Sequence, residues 1–136
     1  MRPTLGVLVT YHNEGRLLGE CLDSLLHQKE RPDEVLIYDD ASEAPAEDYL
    51  PKDFSGRIIR GDVNRGPSYG RNRLLRESQS DYIHFHDADD LFYPDWCGRI
   101  RQAIEESEPD VVFTEISSFR EGEKVCERVL GLERNG

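Results

Sequence analysis

The sequence predicts an α/β domain of three layers, a mainly parallel sheet with helices on both faces. Three observations predict it. The chain has 136 residues, close to the commonest size of a single domain, so residues 1–136 read as one unit. Short β-branched apolar runs alternate with segments whose leucines recur at helical spacing, which is the pattern of βαβ units. Polar clusters follow four of these runs, and open parallel sheets place ligands outside the C-terminal ends of their strands.

The first run, Leu5-Gly6-Val7-Leu8-Val9-Thr10, predicts a buried strand. A helix is expected to open at Asn13 or Glu14, because Leu17, Leu18, Cys21, Leu22, Leu25 and Leu26 make one apolar face. Arg31-Pro32-Asp33 stops it. Glu34-Val35-Leu36-Ile37-Tyr38 is a second buried strand that runs into Asp39-Asp40. Residues 41–55 are acidic, contain Pro45 and Pro51, and predict a loop with a short helical piece around Ala46 to Leu50. Arg57-Ile58-Ile59-Arg60 is a third strand. Asn64-Arg65-Gly66-Pro67 is turn chemistry, and Pro67 suits the first position of a helix that reaches Ser78 and buries Leu74 and Leu75. Tyr82-Ile83-His84-Phe85-His86 is a fourth strand, with Asp87-Ala88-Asp89-Asp90 at its end. Pro94 begins a helix that continues to Glu106, with Trp96 and Cys97 as packing residues. Residues 110–113 predict a fifth strand, and residues 117–130 a hairpin around Glu121-Gly122.

Composition narrows the function classes. Hydrophobic residues make up 37% of the chain and charged residues 33%, low for a filled interior but too patterned for a disordered chain. No apolar run approaches the roughly 20 residues of a membrane helix. Met1-Arg2-Pro3-Thr4 leads straight into the first strand, without the apolar region of a secretory signal. The formal charge of −11 argues against a nucleic-acid or anionic-membrane binder, though not against a small anion met by local positive groups. Cys21, Cys97 and Cys126 are odd in number and widely spaced, and read as reduced thiols of a cytoplasmic chain.

The clusters carry the chemistry. Asp87-Ala88-Asp89-Asp90 follows a hydrophobic strand, and carboxylates at i and i+2 on a strand-to-loop transition can turn toward one cation. Mg²⁺ and Mn²⁺ take such oxygen ligands together with substrate phosphates. A solvated acidic turn is the plain alternative. In Asp39-Asp40, one aspartate can accept from a base N–H while the other caps the turn through Ser42; a simple Asx-turn competes with this. Arg71 lies near the start of the helix opened by Pro67, where amides and a guanidinium suit a phosphate or a polar base edge. Arg65, Arg73 and Arg76 read as surface ion-pair partners. His84 and His86 share a strand face but lack a third ligand at metal spacing. Tyr11-His12-Asn13-Glu14-Gly15 is not GxGxxG, and no GxxxxGK[ST] is present, so neither a dinucleotide fingerprint nor a P-loop is found.

In this order the clusters resemble the nucleotide-sugar-binding half of family-2 glycosyltransferases of the GT-A fold, a Rossmann-like architecture. The residues that carry the resemblance are Val9 to Glu14, Ser24-Leu25-Leu26-His27-Gln28, Val35 to Ser42, Asn64 to Asn72, and Tyr82 to Asp90. It implies that Thr10, His12 and Glu14 line the nucleotide pocket. His12 stands where the family often has tyrosine. Asp40 would hydrogen-bond the base, uracil, with Asp39 supporting the turn. Arg71 would meet the base or phosphate region. Asp87 and Ala88 would lie by the ribose, and Asp89, with Asp87, would ligate Mn²⁺ or Mg²⁺ at the diphosphate, Asp90 standing behind them. The implied activity is transfer of a sugar from a UDP-sugar donor to an acceptor hydroxyl of a saccharide, lipid or protein. In inverting members a carboxylate base deprotonates that hydroxyl. The family places this base in the acceptor-binding half, expected to be absent from this truncated chain, which leaves Glu115, Glu121 and Glu123 as remaining carboxylates and an expectation of little transfer by the chain alone.

Rival readings differ in class. A non-catalytic nucleotide-sugar-binding or interaction module would keep the same clusters. A nucleotidyltransferase would want a Gly- and Lys-bearing loop after the first strand. A haloacid-dehalogenase-like phosphatase would want its aspartate where this chain has Tyr11 and His12.

Overall fold

The computed structural model describes residues 2–114, 116 and 117. In chain order its elements are β1 (Leu5–Tyr11), α1 (Arg16–Leu26), β2 (Glu34–Asp39), a 3-10 turn (Ala46–Tyr49), β3 (Arg57–Arg60), α2 (Pro67–Glu77), β4 (Tyr82–Asp87) and α3 (Trp96–Ser107). The strands make one parallel sheet in the order β3-β2-β1-β4.

The alternation along β1 divides the core into two layers. Leu5, Val7, Val9 and Tyr11 face α1 and α3, where they pack with Leu18, Leu22, Trp96 and Ile100. Leu8 points the other way and joins Leu36, Tyr38 and Leu74 beneath α2. This is the expected three-layer arrangement. Burying each of these leucines is worth roughly 2 kcal/mol, so the two clusters together fix which face of the sheet each helix covers.

Local chemistry sets the helix starts. α1 opens at Arg16 and not at Asn13 or Glu14, because Asn13 (φ 60°) and Gly15 (φ 61°) are in the left-handed region. α2 opens on Pro67, as its sequence predicts. Only Leu74 of its leucine pair is buried. Leu75, turned about 100° away on the helix, is 49% exposed, which corrects the expectation for it. α3 begins at Trp96, two residues after Pro94. There Gln28 of the α1 exit donates to the Tyr93 carbonyl (2.9 Å) and accepts from Cys97 N–H (2.9 Å).

Residues 110–113 do not form the predicted strand. A strand needs a ladder, and β4 has no described partner on that side. Val111 and Phe113 are exposed, and a groove of about 490 Å³ is lined by Val111 and Val112 together with residues of β4 and α3. The predicted hairpin at 117–130, Ser117 apart, lies outside the described residues, as does Cys126. Cys21 and Cys97 are buried free thiols. Among the described residues no helix is long and apolar enough to cross a membrane.

One buried ion pair ties α3 to the entrance of β1. Arg101 donates to the Arg31 carbonyl (2.7 Å) and to Asp33 (3.0 Å), and Asp33 also accepts from Leu5 N–H (2.8 Å). Burial alone would raise the Asp33 carboxyl. The Leu5 amide and the Arg101 guanidinium outweigh it and hold the group below its usual range.

Candidate functional site

The register of the sheet gathers the polar clusters. Thr10 pairs with Asp87 across to β4, and Tyr11 pairs with Asp39 across to β2. Two ladder-like bonds continue past the strand ends. Asp40 N–H donates to the Tyr11 carbonyl (2.9 Å), and Ala88 N–H to the Thr10 carbonyl (3.2 Å). The Asp-Asp pair and the acidic loop therefore flank the end of β1 as extensions of rigid strands.

Asp39 and Asp40 separate into different roles. Asp39 is fully buried and accepts from Ser42 N–H (3.0 Å), Ala46 N–H (2.9 Å) and Arg60 Nη1 (2.9 Å). It holds the turn, as its sequence position suggested. The Asp40 carboxylate is 6% exposed and accepts from Arg65 N–H and Gly66 N–H, each at 2.9 Å. It anchors the loop that leads into α2. Its backbone carbonyl accepts from His12 Nδ1 (2.8 Å), which leaves His12 Nε2 to accept from the Asn64 amide (3.2 Å). One side of the site is thus a network of His12, Asp40 and Asn64 with its imidazole in a single tautomer.

The other side is charged. Arg71 Nη2 donates to Asp87 Oδ1 (3.2 Å), and the Thr10 hydroxyl reaches the same oxygen at 3.4 Å. α2 must lie close to the sheet for this. A Cβ on Gly70 would sit 2.8 Å from the Tyr38 ring and 3.3 Å from Thr10 Cγ2, so glycine permits the approach that brings Arg71 over Asp87. Ala88 is fully buried, and it turns between Asp87 and Asp89, which are both exposed.

Glu14 accepts from His12 N–H. Its carboxyl is raised, first by burial and then, against hydrogen bonds that lower it, by the Asp89 charge. Asp90 is raised by burial, then by the charges of Asp89 and Asp87. Four carboxylates from two loops therefore feel one another, and Arg71 pairs with one of them, Asp87. Among the described residues no three potential ligands are drawn together into a finished metal cage. The donor set nonetheless fits Mn²⁺ or Mg²⁺, which use one or two carboxylates and leave the remaining positions to phosphate and water.

The sequence singled out Thr10, His12, Glu14, Asp40, Arg71, Asp87, Ala88 and Asp89, and all of them lie at this end of the sheet. It missed Asn64 as the partner of His12, Arg60 as the third donor to Asp39, and Gly70. It also missed Ser24, whose hydroxyl accepts from Phe92 N–H (3.0 Å) and steadies the exit of the acidic loop. The available signal was Ser24 and Gln28, polar residues four apart beside the apolar face of α1.

A comparison with known families decides where this chain stands. The model of Glycosyl transferase family 2 matches residues 6–135. The chain belongs to glycosyltransferase family 2. A Haemophilus influenzae relative described as an uncharacterized glycosyltransferase is 32% identical over 109 residues, covering 80% of this chain and 37% of the relative. EpsJ of Bacillus subtilis, described as an uncharacterized glycosyltransferase, is 31% identical over 116 residues, covering 82% of this chain and 33% of the relative. This family-2 chain therefore spans about a third of the length of the curated relatives it matches. S. aureus TarS 1-349 in complex with UDP-GlcNAc superimposes with a TM-score of 0.69 at 25% identity, over 77% of this chain and 33% of that one. The mannosyltransferase PcManGT of Pyrobaculum calidifontis, in complex with GDP-Man and Mn²⁺, gives 0.65 at 25% identity, over 77% and 32%. The fold is that of part of a GT-A glycosyltransferase.

Proposed function

We propose that this family-2 chain is a single donor-binding domain of a glycosyltransferase that moves a sugar from a UDP-sugar to an acceptor hydroxyl of a saccharide, lipid or protein. The observation that carries the reading is the two-sided site at the strand ends: a hydrogen-bonding network of His12, the Asp40 carboxylate and Asn64 beside the Arg71–Asp87 ion pair and Asp89. A nucleoside diphosphate has two matching halves, a hydrogen-bonding base at one end and a diphosphate at the other. The TarS complex with UDP-GlcNAc and the PcManGT complex with GDP-Man and Mn²⁺ support the donor class and the metal. The buried free thiols Cys21 and Cys97 support a reducing, cytoplasmic setting.

In this reading His12 and Thr10 line the base and ribose, and Glu14 fixes the His12 backbone. Asp40 fixes the loop beside the base, and each of its oxygens keeps a lone pair for a base N–H. Asp89 and Asp87 would hold the Mn²⁺ or Mg²⁺, and the bound cation would supply positive charge against the diphosphate leaving group. Arg71 adds a guanidinium to the same region and holds Asp87 in place until the donor arrives. The rigid strand ends keep these groups oriented, so little ordering is left to be done on binding. The base that takes the acceptor proton is sought among Glu115, Glu121 and Glu123, which lie outside the described residues, or in chain beyond this sequence.

The test is calorimetric titration of UDP, GDP and UMP into the protein with Mn²⁺ or with EDTA. UDP should bind more tightly than UMP, and EDTA should abolish the difference. Preference for GDP would move the donor to a guanosine sugar, and no nucleotide binding would favour a non-catalytic interaction module.

A further inference from the structure

β4 carries two imidazoles on one face. His84 Nε2 lies 3.0 Å from His86 Nδ1, and His86 Nε2 lies 3.0 Å from the Asp90 carbonyl oxygen. A carbonyl only accepts, so His86 Nε2 carries its proton. In the neutral ring Nδ1 is then an acceptor, and it receives the Nε2–H of His84.

The His86 ring also touches both sides of the acidic loop. It directly precedes Asp87, and it stacks on Phe92 with centroids 3.8 Å apart and planes 15° apart. Between these points Asp90 N–H closes a turn on the Asp87 carbonyl at 3.1 Å. Beyond them Phe92 N–H is held by Ser24. The loop that presents Asp87 and Asp89 is thus fastened at its start by β4, at its end by Ser24, and across its middle by one imidazole N–H.

We propose that His86, held in its Nε2–H tautomer by the Asp90 carbonyl and receiving His84 at Nδ1, is a positioning residue that sets the spacing of Asp87 and Asp89 for a divalent cation. The proposal rests on the reading of those carboxylates given above. A phenylalanine at position 86 would stack on Phe92 equally well. What it would lack is the donor to Asp90 and the acceptor of His84, and hydrogen bonds of this outer kind orient the groups that touch a metal.

The experiment compares His86→Phe, His86→Gln and His84→Leu with the parent protein. His86→Phe should melt a few degrees below the parent, because His84 Nε2–H loses its acceptor, and should keep the parent metal-free UDP affinity. Its Mn²⁺-dependent UDP affinity should fall about tenfold, the low end of what losing an outer hydrogen-bond partner costs a metal site. His86→Gln, whose amide reaches a similar point, should recover most of that loss. Nitrogen-15 spectra of the imidazoles in the ligand-free parent should show both rings protonated at Nε2, and His84→Leu, which leaves the Asp90 carbonyl in place, should keep His86 protonated there. Parent-like Mn²⁺-dependent affinity in His86→Phe, or a parent His86 protonated at Nδ1, overturns the proposal alone. A parent protein that binds no UDP overturns the reading beneath it as well.

Discussion

Asp39→Asn separates scaffold from site. Asp39 is fully buried, and its two oxygens serve three donors, Ser42 N–H at 3.0 Å, Ala46 N–H at 2.9 Å and Arg60 Nη1 at 2.9 Å. Ser42 uses one oxygen, while Ala46 and Arg60 share the other. An asparagine has one oxygen. Its better orientation keeps Ala46 and Arg60 and turns its NH₂ toward Ser42 N–H, so one buried donor is left facing another. An orphaned buried donor costs about 1–3 kcal/mol. The bond to Arg60 also becomes neutral at its acceptor end, which roughly halves its strength. Together these give a loss of about 3 kcal/mol, or about 10 °C in Tm for a domain of this size. Urea denaturation and calorimetric melting read it. A Tm within about 2 °C of the parent would refute the reasoning, since it would mean that the turn at 39–46 is held by contacts other than this carboxylate.

Asp40→Ala should weaken UDP binding by about 1–3 kcal/mol and pyrophosphate binding less, because the carboxylate anchors the loop beside the base; equal losses for both ligands would reduce Asp40 to a folding role. Gly70→Ala should destabilise by about 1–3 kcal/mol despite the better helix propensity of alanine, because the new Cβ meets the buried Tyr38 ring, and chemical denaturation measures it. The Asp33 carboxyl is held below its usual range in the folded state, so its stabilisation is present above the unfolded carboxyl pKa and is lost as pH falls through the folded value. Asp33→Asn should therefore flatten the acid limb of a stability-against-pH curve below about pH 4; an unchanged limb would contradict the assignment.

Much of the sheet is legible in the sequence because β1 and β2 are short, nearly unbroken apolar runs and all four strands are followed by polar residues. Leu5 to Thr10 and Glu34 to Tyr38 need no partner to be recognised, and Pro67 marks the start of α2 by its own geometry. Residues 110–113 are just as apolar and β-branched, yet they form no strand, because pairing depends on a neighbour that a local run cannot specify. Leu75 was misplaced for a similar reason: a leucine pair on a helix turns about 100° between its members, and only the sheet decides which is covered. The site shows the same division. The sequence points to Asp87, Asp89 and Arg71 by chemistry and position. It does not show that the Asp40 carboxylate holds Arg65 and Gly66, that Asn64 meets His12 across 52 residues, or that His86 reaches over Asp87 to Asp90. Those contacts are made by folding and have no periodicity to read.

The central claim is that the acidic loop and the Asp40 loop hold opposite ends of one nucleoside diphosphate. A crystal structure of the protein grown with UDP and Mn²⁺, with data collected at the manganese absorption edge, tests it most directly. An anomalous peak is expected on the Asp89 carboxylate, with the diphosphate beside it and the uracil against His12 and the loop held by Asp40. A manganese peak away from Asp87 and Asp89, or a nucleotide bound at the N-terminal ends of the strands, would contradict it.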